Sequence, residues 1–546
     1  MKKYVMGIDF GTLSARCILV DTENGKETAE SVMNYPHAVM DEHLPSGENL
    51  PPNYALQHPK DYLDALSFTA REAVKKAGIT ADEVVGIGID FTACTLLPID
   101  ENGTPLCMKE EYENEKHAYV KLWKHHAAQD EADEITALAE KRGEAWLSNY
   151  GGRISSEWML PKILEVLREN PEIYSKTHRF TEAADWLSLM LTGKETHSAA
   201  FAGYKSMWNA KSGYPSNDYY KELDPRLDGI VGTKISTNIL TVNETAGVLN
   251  AQGANITGLK EGTPVALPML DAHAAMPALN IVDSGNLMLI IGTSSCQILN
   301  SDEEKEIEGI CGFVKDGVIP GLTTYEAGQA GVGDIFDWFV KTSIPEKYEN
   351  EAREKGIGIH KLLRNKAKKL RPGESGLIAL DWLNGNRNIL GDANLSGMIL
   401  GATLQTKPEE IYRALIEATA YGLKIIVNQY EKYGIEIKSI VAAGGIAQKD
   451  EMLMQIYSDV LDREIAVAGT SQAGALGSAI YAAVASGVYK TVKEAATKLS
   501  KPNSKVYKPI PENTEIYNII YNEYKTLHDY FGKENPVMKN IQKLKY

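Results

Sequence analysis

Cysteine is scarce in this chain and unpaired by pattern. Cys17, Cys94, Cys107, Cys296 and Cys311 are five in number, and no two stand in C-x-x-C spacing, which argues against a disulfide framework or a zinc knuckle. Long apolar runs are missing too, so no segment is expected to cross a bilayer. The strand that carries Asp9 begins so near Met1 that the apolar core of a signal peptide has no room. A cytoplasmic protein is the expectation. Positive charge is in deficit: 57 Lys and Arg stand against 73 Asp and Glu, leaving −16, which disfavours nucleic acid and anionic membrane as partners. Several chemical motifs are absent as well. No G-x-x-x-x-G-K-[ST] occurs, so a P-loop is excluded. Gly86-Ile-Gly88 lacks the third glycine of a dinucleotide fold, and no G-x-S-x-G nucleophile elbow is present. His125-His126 sits in a charged, helical-looking stretch with no second ligand pair and reads as surface.

What the chain does have is one short pattern used twice, in which an apolar strand runs into Gly-Thr and a second strand leaves. The first copy spans Tyr4 to Val20 with Gly11-Thr12, and the second spans Leu287 to Leu299 with Gly292-Thr293. Such a turn, with backbone N–H groups and hydroxyls outward, suits phosphate oxygens. Two copies could hold one nucleotide from both sides. With 546 residues at 43% hydrophobic, the chain is long enough for at least two full cores.

Helices are expected from Pro59 to Ala77, with Gly78 past its end, and across Lys407 to Tyr433, Asp450 to Leu461 and Glu512 to Phe531. Thr80 to Glu83 resembles a capping box. Ser155 to Gly193 reads as helical throughout. Val84 to Asp90 and Ser439 to Ala443 read as buried strands, the second entering Gly444-Gly445. Ser471 to Ser486 is rich in Ala and Gly, and glycine costs about 1 kcal/mol against Ala inside a helix, so Gly474 and Gly477 predict close backbone approach. The second strand pair places a domain boundary near Asp283, giving 1–283 and 284–546.

Candidate chemistry follows from residue types in odd places. Asp9 lies inside a strand, where a carboxylate needs a cation or several donors. It either caps the Gly11-Thr12 turn or meets Mg²⁺, which takes one or two carboxylates plus phosphates. Asp271 ends an apolar run before a small-residue helix and is either an N-cap or a general base accepting a hydroxyl proton. Glu326 and Gln329 fall in a glycine-rich stretch, Thr324 to Asp334, expected to be a loop. Lys205 has aromatic neighbours. Each taken singly is more often a solvated surface group, and only a shared site would change that.

Gly7-Ile-Asp-Phe-Gly-Thr12, Gly292-Thr293, Ala443-Gly-Gly445 and Ala473-Gly-Ala-Leu-Gly477, in this order, resemble the FGGY family of carbohydrate kinases, over nearly the whole chain. Gly88 to Thr95, Glu326 to Phe336 and Asp381 to Arg387 are similar to the branch that acts on L-ribulose. The resemblance implies an α/β fold of two ribonuclease-H-like domains, the superfold of actin, heat-shock chaperones and sugar kinases, with an inter-domain cleft. It implies ATP as co-substrate, Mg²⁺ associated with Asp9, and Asp271 as catalytic base. Phosphates would meet Gly11, Thr12, Ser14, Gly292, Thr293 and Gly333, and the adenosine Gly444, Gly445 and Gln448. The ketopentose would meet Ala93, Lys205, Asp271 and Glu326. The implied activity is phosphorylation of L-ribulose to L-ribulose 5-phosphate in L-arabinose breakdown. D-ribulose, xylulose or a polyol as substrate, an actin- or chaperone-like ATPase, a catalytically dead regulator and a homodimer all stay open. Ala443-Gly-Gly-Ile446 departs from the G-G-G-A of many relatives.

Overall fold

The computed structural model describes residues 2–501 and 503–545. They form two compact units that change at Asp283/Ser284, but the first unit also takes 312–324 and 472–501. The units are therefore not the contiguous halves 1–283 and 284–546 expected from the sequence. The physical reason is the helix Ala473–Ala485, which lies against the first sheet.

That sheet has the order Thr245–Val248, Pro264–Ala266, Val84–Phe91, Tyr4–Phe10, Ser14–Asp21, Glu27–Asn34. The last three form an antiparallel meander, whereas Val84–Phe91 runs parallel to both of its neighbours, Tyr4–Phe10 and Pro264–Ala266. In the second unit the order is Thr323–Gln329, Ser295–Ser301, Asn286–Ile291, Ser439–Ala443, Ile465–Val467, Lys505–Tyr507. The senses repeat: Asn286–Ile291 is antiparallel to Ser295–Ser301 and parallel to Ser439–Ala443. One strand arrangement is thus used twice, as the two Gly-Thr turns suggested. The parallel strands read as near-continuous apolar runs because both faces are covered.

Glycine explains how the first sheet is covered. A Cβ on Gly7 would stand 1.9 Å from the Ala475 carbonyl oxygen, and one on Gly88 2.1 Å from that of Ser478. Gly86 faces Ala482 in the same way. Gly86-Ile-Gly88 is therefore a seat for a helix, not the remnant of a nucleotide motif.

The helices Pro59–Ala77, Pro408–Lys432, Glu451–Leu461 and Pro511–Asp529 form as the caps and periodicity predict. Residues 155–193 do not form one helix: Met159–Glu169 and Pro171–Lys176 are followed by the strand Arg179–Glu182 and the helix Ala183–Thr192. Pro171 cannot continue the first helix, and Arg179–Glu182 pairs with Leu96–Ile99. His125 also departs from expectation. It is fully buried, its Nε2 donating to Glu165 Oε2 at 2.9 Å, while Lys121 Nζ stands 3.0 Å from the same oxygen. Burial pushes His125 down to about 3, so it is a neutral donor within a buried ionic cluster.

Candidate active site

Strand register assembles the first part of the site. Asp9 lies opposite Asp90 on parallel strands, and Met269 of the strand Met269–Leu270 pairs with Asp90. The next residue after that strand is Asp271. Three carboxylates thus leave the same ends of three neighbouring strands. Asp9 and Asp271 were expected; Asp90 was missed, although Gly88-Ile-Asp90 repeats Gly7-Ile-Asp9.

Burial pushes Asp90 well above the usual carboxylate range, and the charges of Asp9 and Asp271 push the same way. The Ser478 hydroxyl, donating to Asp90 Oδ2 at 2.6 Å, opposes this. Asp9 is also raised by burial, against the bond it shares with Asp90 and the charge of Arg16. Gly474 packs closely above them: a Cβ there would lie 3.2 Å from Asp90 Oδ1 and 3.3 Å from Asp9 Cγ, a tight contact. Paired carboxylates of this kind hold a proton between them or take a cation.

The sign of the resulting stability effect is fixed. A carboxyl raised on folding binds more protons in the native than in the unfolded state, so stability falls as pH climbs from about 3.9, the unfolded value, to the native one. Asp90→Asn removes that loss and keeps an oxygen for Ser478. Metal-free Asp90→Asn is expected to melt at a higher temperature than wild type at pH 8, with a smaller gain at pH 4. Equal gains at both pH values would rule out the buried charge as the cause.

Asp271 is half-buried and opens the helix Asp271–Ala278 as its first residue, with Leu270 in the cap position. The Ala272 N–H donates to Asp271 Oδ1 at 2.6 Å. The carboxylate is therefore fixed at the end of a strand and is not an N-cap.

The turn after Val84–Phe91 carries Ala93, half-buried, and Cys94, whose φ of 55° is left-handed. That conformation costs a non-glycine residue about 1–2 kcal/mol. Lys205 ends the helix Ala199–Lys205, and its charge offsets part of the burial that pushes the Cys94 thiol and the Tyr150 phenol up. Ala93 and Lys205 thus belong to one neighbourhood of the first unit. At the Gly11-Thr12 turn, the Gly11 N–H donates to the carbonyl of Ser14, the residue that opens the next strand, at 3.0 Å. Gln57 Nε2 donates to the Thr12 carbonyl at 2.7 Å, and the Trp123 indole donates to Thr12 Oγ1 at 3.1 Å. Trp123 is 39% exposed and has no local signal in the sequence.

In the second unit, the Gly292 N–H donates to the Ser294 carbonyl at 2.9 Å, and the Gly333 N–H donates to the Gly292 carbonyl at 3.0 Å. A Cβ on Gly333 would lie 2.7 Å from that same oxygen, and one on Gly444 2.4 Å from the Ile291 carbonyl oxygen. Gly292, Thr293, Gly333 and Gly444 therefore meet around one turn. Gly444 also has φ of 96°, and a Cβ on Gly445 would meet nothing within 4 Å, so the space beside Gly445 is open. Gln448 Nε2 donates to the Thr470 carbonyl at 3.2 Å. Glu326 lies in the strand Thr323–Gln329, not in a loop, and is half-buried. Gln329 is buried, accepting from Ser295 Oγ and donating to Asp381 Oδ2 and the Thr419 carbonyl. It is a packing residue.

The chain is similar to known proteins in both sequence and structure. Residues 4–276 match the N-terminal domain, and residues 287–486 the C-terminal domain, of the FGGY family of carbohydrate kinases. A ribulokinase of Halalkalibacterium halodurans is 50% identical over 549 residues, covering 100% of this chain and 98% of the relative. One of Mycolicibacterium smegmatis is 45% identical, over 99% of this chain and 96% of its own. The crystal structure of a xylulose kinase from Rhodospirillum rubrum shares the fold, with a TM-score of 0.81 at 21% identity over 97% of this chain and 99% of that one. The repeated strand order, the twin Gly-Thr turns and these matches agree: the chain belongs to the FGGY family of carbohydrate kinases.

Proposed function

We propose that the protein transfers the γ-phosphoryl group of ATP to the terminal hydroxyl of L-ribulose, giving L-ribulose 5-phosphate and ADP in the breakdown of L-arabinose. The observation that carries this reading is the full-length similarity to ribulokinases, at 50% identity. Within the first unit it is supported by Asp271, an acceptor fixed at a strand end in the neighbourhood of Asp9 and Asp90.

Asp271 takes the proton from O5 as that oxygen bonds to the γ-phosphorus and the bond to the ADP oxygen breaks. Phosphoryl transfer asks mainly for positioning and charge stabilisation. Gly11, Thr12, Ser14, Gly292, Thr293 and Gly333 are the proposed phosphate contacts. Gly444, Gly445 and Gln448 are assigned to the adenosine, and Ala93, Lys205 and Glu326 to the sugar. The raised pair Asp9 and Asp90 fits a divalent cation, and Mg²⁺ held through Asp9 would supply neutralisation of phosphate charge. The five cysteines lack C-x-x-C spacing, and Cys17, Cys94 and Cys107 are buried, which supports a cytoplasmic setting.

A panel of L-ribulose, D-ribulose, D-xylulose, polyols and a no-sugar control, assayed for ADP release, tests the proposal. L-Ribulose is expected to give the highest kcat/KM, with little ADP formed when no sugar is present, since a bound acceptor completes the reactive site. Equal ADP release with and without sugar would overturn it in favour of an ATPase. A higher kcat/KM for another ketopentose would overturn the substrate.

A further inference from the structure

We infer that Lys162 and Glu182 are positioning residues of the sugar site, gripping the turn that carries Ala93 by the two sides of its Cys94–Thr95 peptide. The inference rests on the proposed function for the role of Ala93, and on the structure of the first unit for the grip itself.

The strained turn needs something to hold it. Lys162, on the helix Met159–Glu169, is fully buried. Its ammonium donates to the Cys94 carbonyl at 2.6 Å, to the Leu122 carbonyl at 2.9 Å and to the Lys121 carbonyl at 3.4 Å. A buried lysine normally meets a carboxylate; here the ammonium is spent on backbone carbonyls of two chain segments. Glu182, last in the strand Arg179–Glu182, is also fully buried, and its Oε2 accepts the Thr95 N–H at 2.9 Å. Beside that contact, the Thr95 hydroxyl shares 2.9 Å with Thr92 Oγ1 and 3.3 Å with the Ala93 carbonyl. The single Cys94–Thr95 peptide is thus held at its carbonyl by a cation and at its N–H by an acid.

The second segment that Lys162 holds leads directly to Trp123, whose indole donates to Thr12 Oγ1. One ammonium therefore sets the Ala93 turn and the Trp123 segment in fixed relation. Burying two ionisable groups for packing alone is costly, and apolar side chains would fill the space. Backbone carbonyls outside regular pairing need donors, and a compact ammonium with three donors serves carbonyls diverging from one point better than the planar fork of arginine. Burial pushes Lys162 down to about 8 and Glu182 up to about 7. The charges of Glu182 and Glu157 favour the Lys162 cation, while that of Lys121 opposes it.

The test uses Lys162→Met, Glu182→Leu and Glu182→Gln in the full chain, with two readouts. Hydrogen exchange over peptides spanning 91–96 and 120–124 reports the grip without any substrate. Exchange is expected to rise in both peptides for Lys162→Met, in 91–96 for Glu182→Leu, and in neither for Glu182→Gln, whose amide oxygen still accepts from Thr95. Sugar kinetics report the role: the KM for L-ribulose is expected to rise about 10- to 100-fold in Lys162→Met and Glu182→Leu, the effect of losing one hydrogen bond to a charged group. ADP affinity and the KM of Glu182→Gln stay near wild type. Unchanged exchange in both apolar variants overturns the grip, and raised exchange with unchanged KM overturns its role at the sugar. If wild type phosphorylates no ketopentose, the proposed function fails, while the exchange arm still decides the grip. Should Lys162→Met not fold, the two Glu182 variants decide it.

Discussion

Asp271→Asn is expected to lower kcat by about 10²- to 10⁴-fold, the usual worth of a positioned general base, while the affinities for ATP and sugar stay close to wild type. Asparagine is the informative replacement because it keeps the oxygen to which the Ala272 N–H donates at 2.6 Å, so the head of the helix Asp271–Ala278 has no reason to move. What it removes is the ability to accept a proton from the sugar hydroxyl. The loss should stop well short of abolishing the reaction. Phosphoryl transfer depends largely on placing the two oxygens in line and on stabilising the equatorial charge, and the turns proposed to do this are untouched. Steady-state kinetics with L-ribulose separate the outcomes: a fall in kcat at constant KM supports the base, whereas a rise in KM at constant kcat would make Asp271 a binding residue only.

Much of this arrangement was legible in the sequence, for local reasons. Strands buried on both faces read as apolar runs, helix ends carry their caps, and a carboxylate inside such a run stands out. Asp9 and Asp271 were found that way. Gly474 and Gly477, expensive in a helix, signalled a close neighbour. The residues that escaped are those whose partners lie far along the chain. Asp90 acquires its character from register, because the parallel strands set it opposite Asp9. Trp123 gains meaning only from its bond to Thr12, and Lys162 only from the carbonyls it meets. His125 looked like surface because its neighbours are charged, but His125 and Lys121 both turn inward, onto Glu165. The same holds for the strand Arg179–Glu182, whose pairing with Leu96–Ile99 interrupts a stretch that has helical periodicity.

Gly477→Ala sets helix propensity against packing, and the magnitudes decide the sign. Alanine gains about 1 kcal/mol over glycine inside a helix, and Gly477 lies within Ala473–Ala485. Its Cβ, however, would stand 1.6 Å from the Ala274 carbonyl oxygen and 2.6 Å from the carbonyl carbon. Those atoms belong to the backbone of Asp271–Ala278, so no rotamer change relieves the clash and one helix has to shift. Overpacking of this kind costs about 1–3 kcal/mol and occasionally more, which outweighs the propensity gain. The shift also falls on the helix that begins with Asp271, and a misplacement of about 1 Å in a reacting group costs about 10²-fold in rate. Gly477→Ala is therefore expected to lower both Tm and kcat. Gly358→Ala, where a Cβ would meet nothing within 4 Å, should leave kcat almost unchanged. Thermal melting and kcat measured on the same preparations check this. A Gly477→Ala protein at least as stable and as active as wild type would mean that the Asp271 helix does not rest on the glycine-lined face of its neighbour.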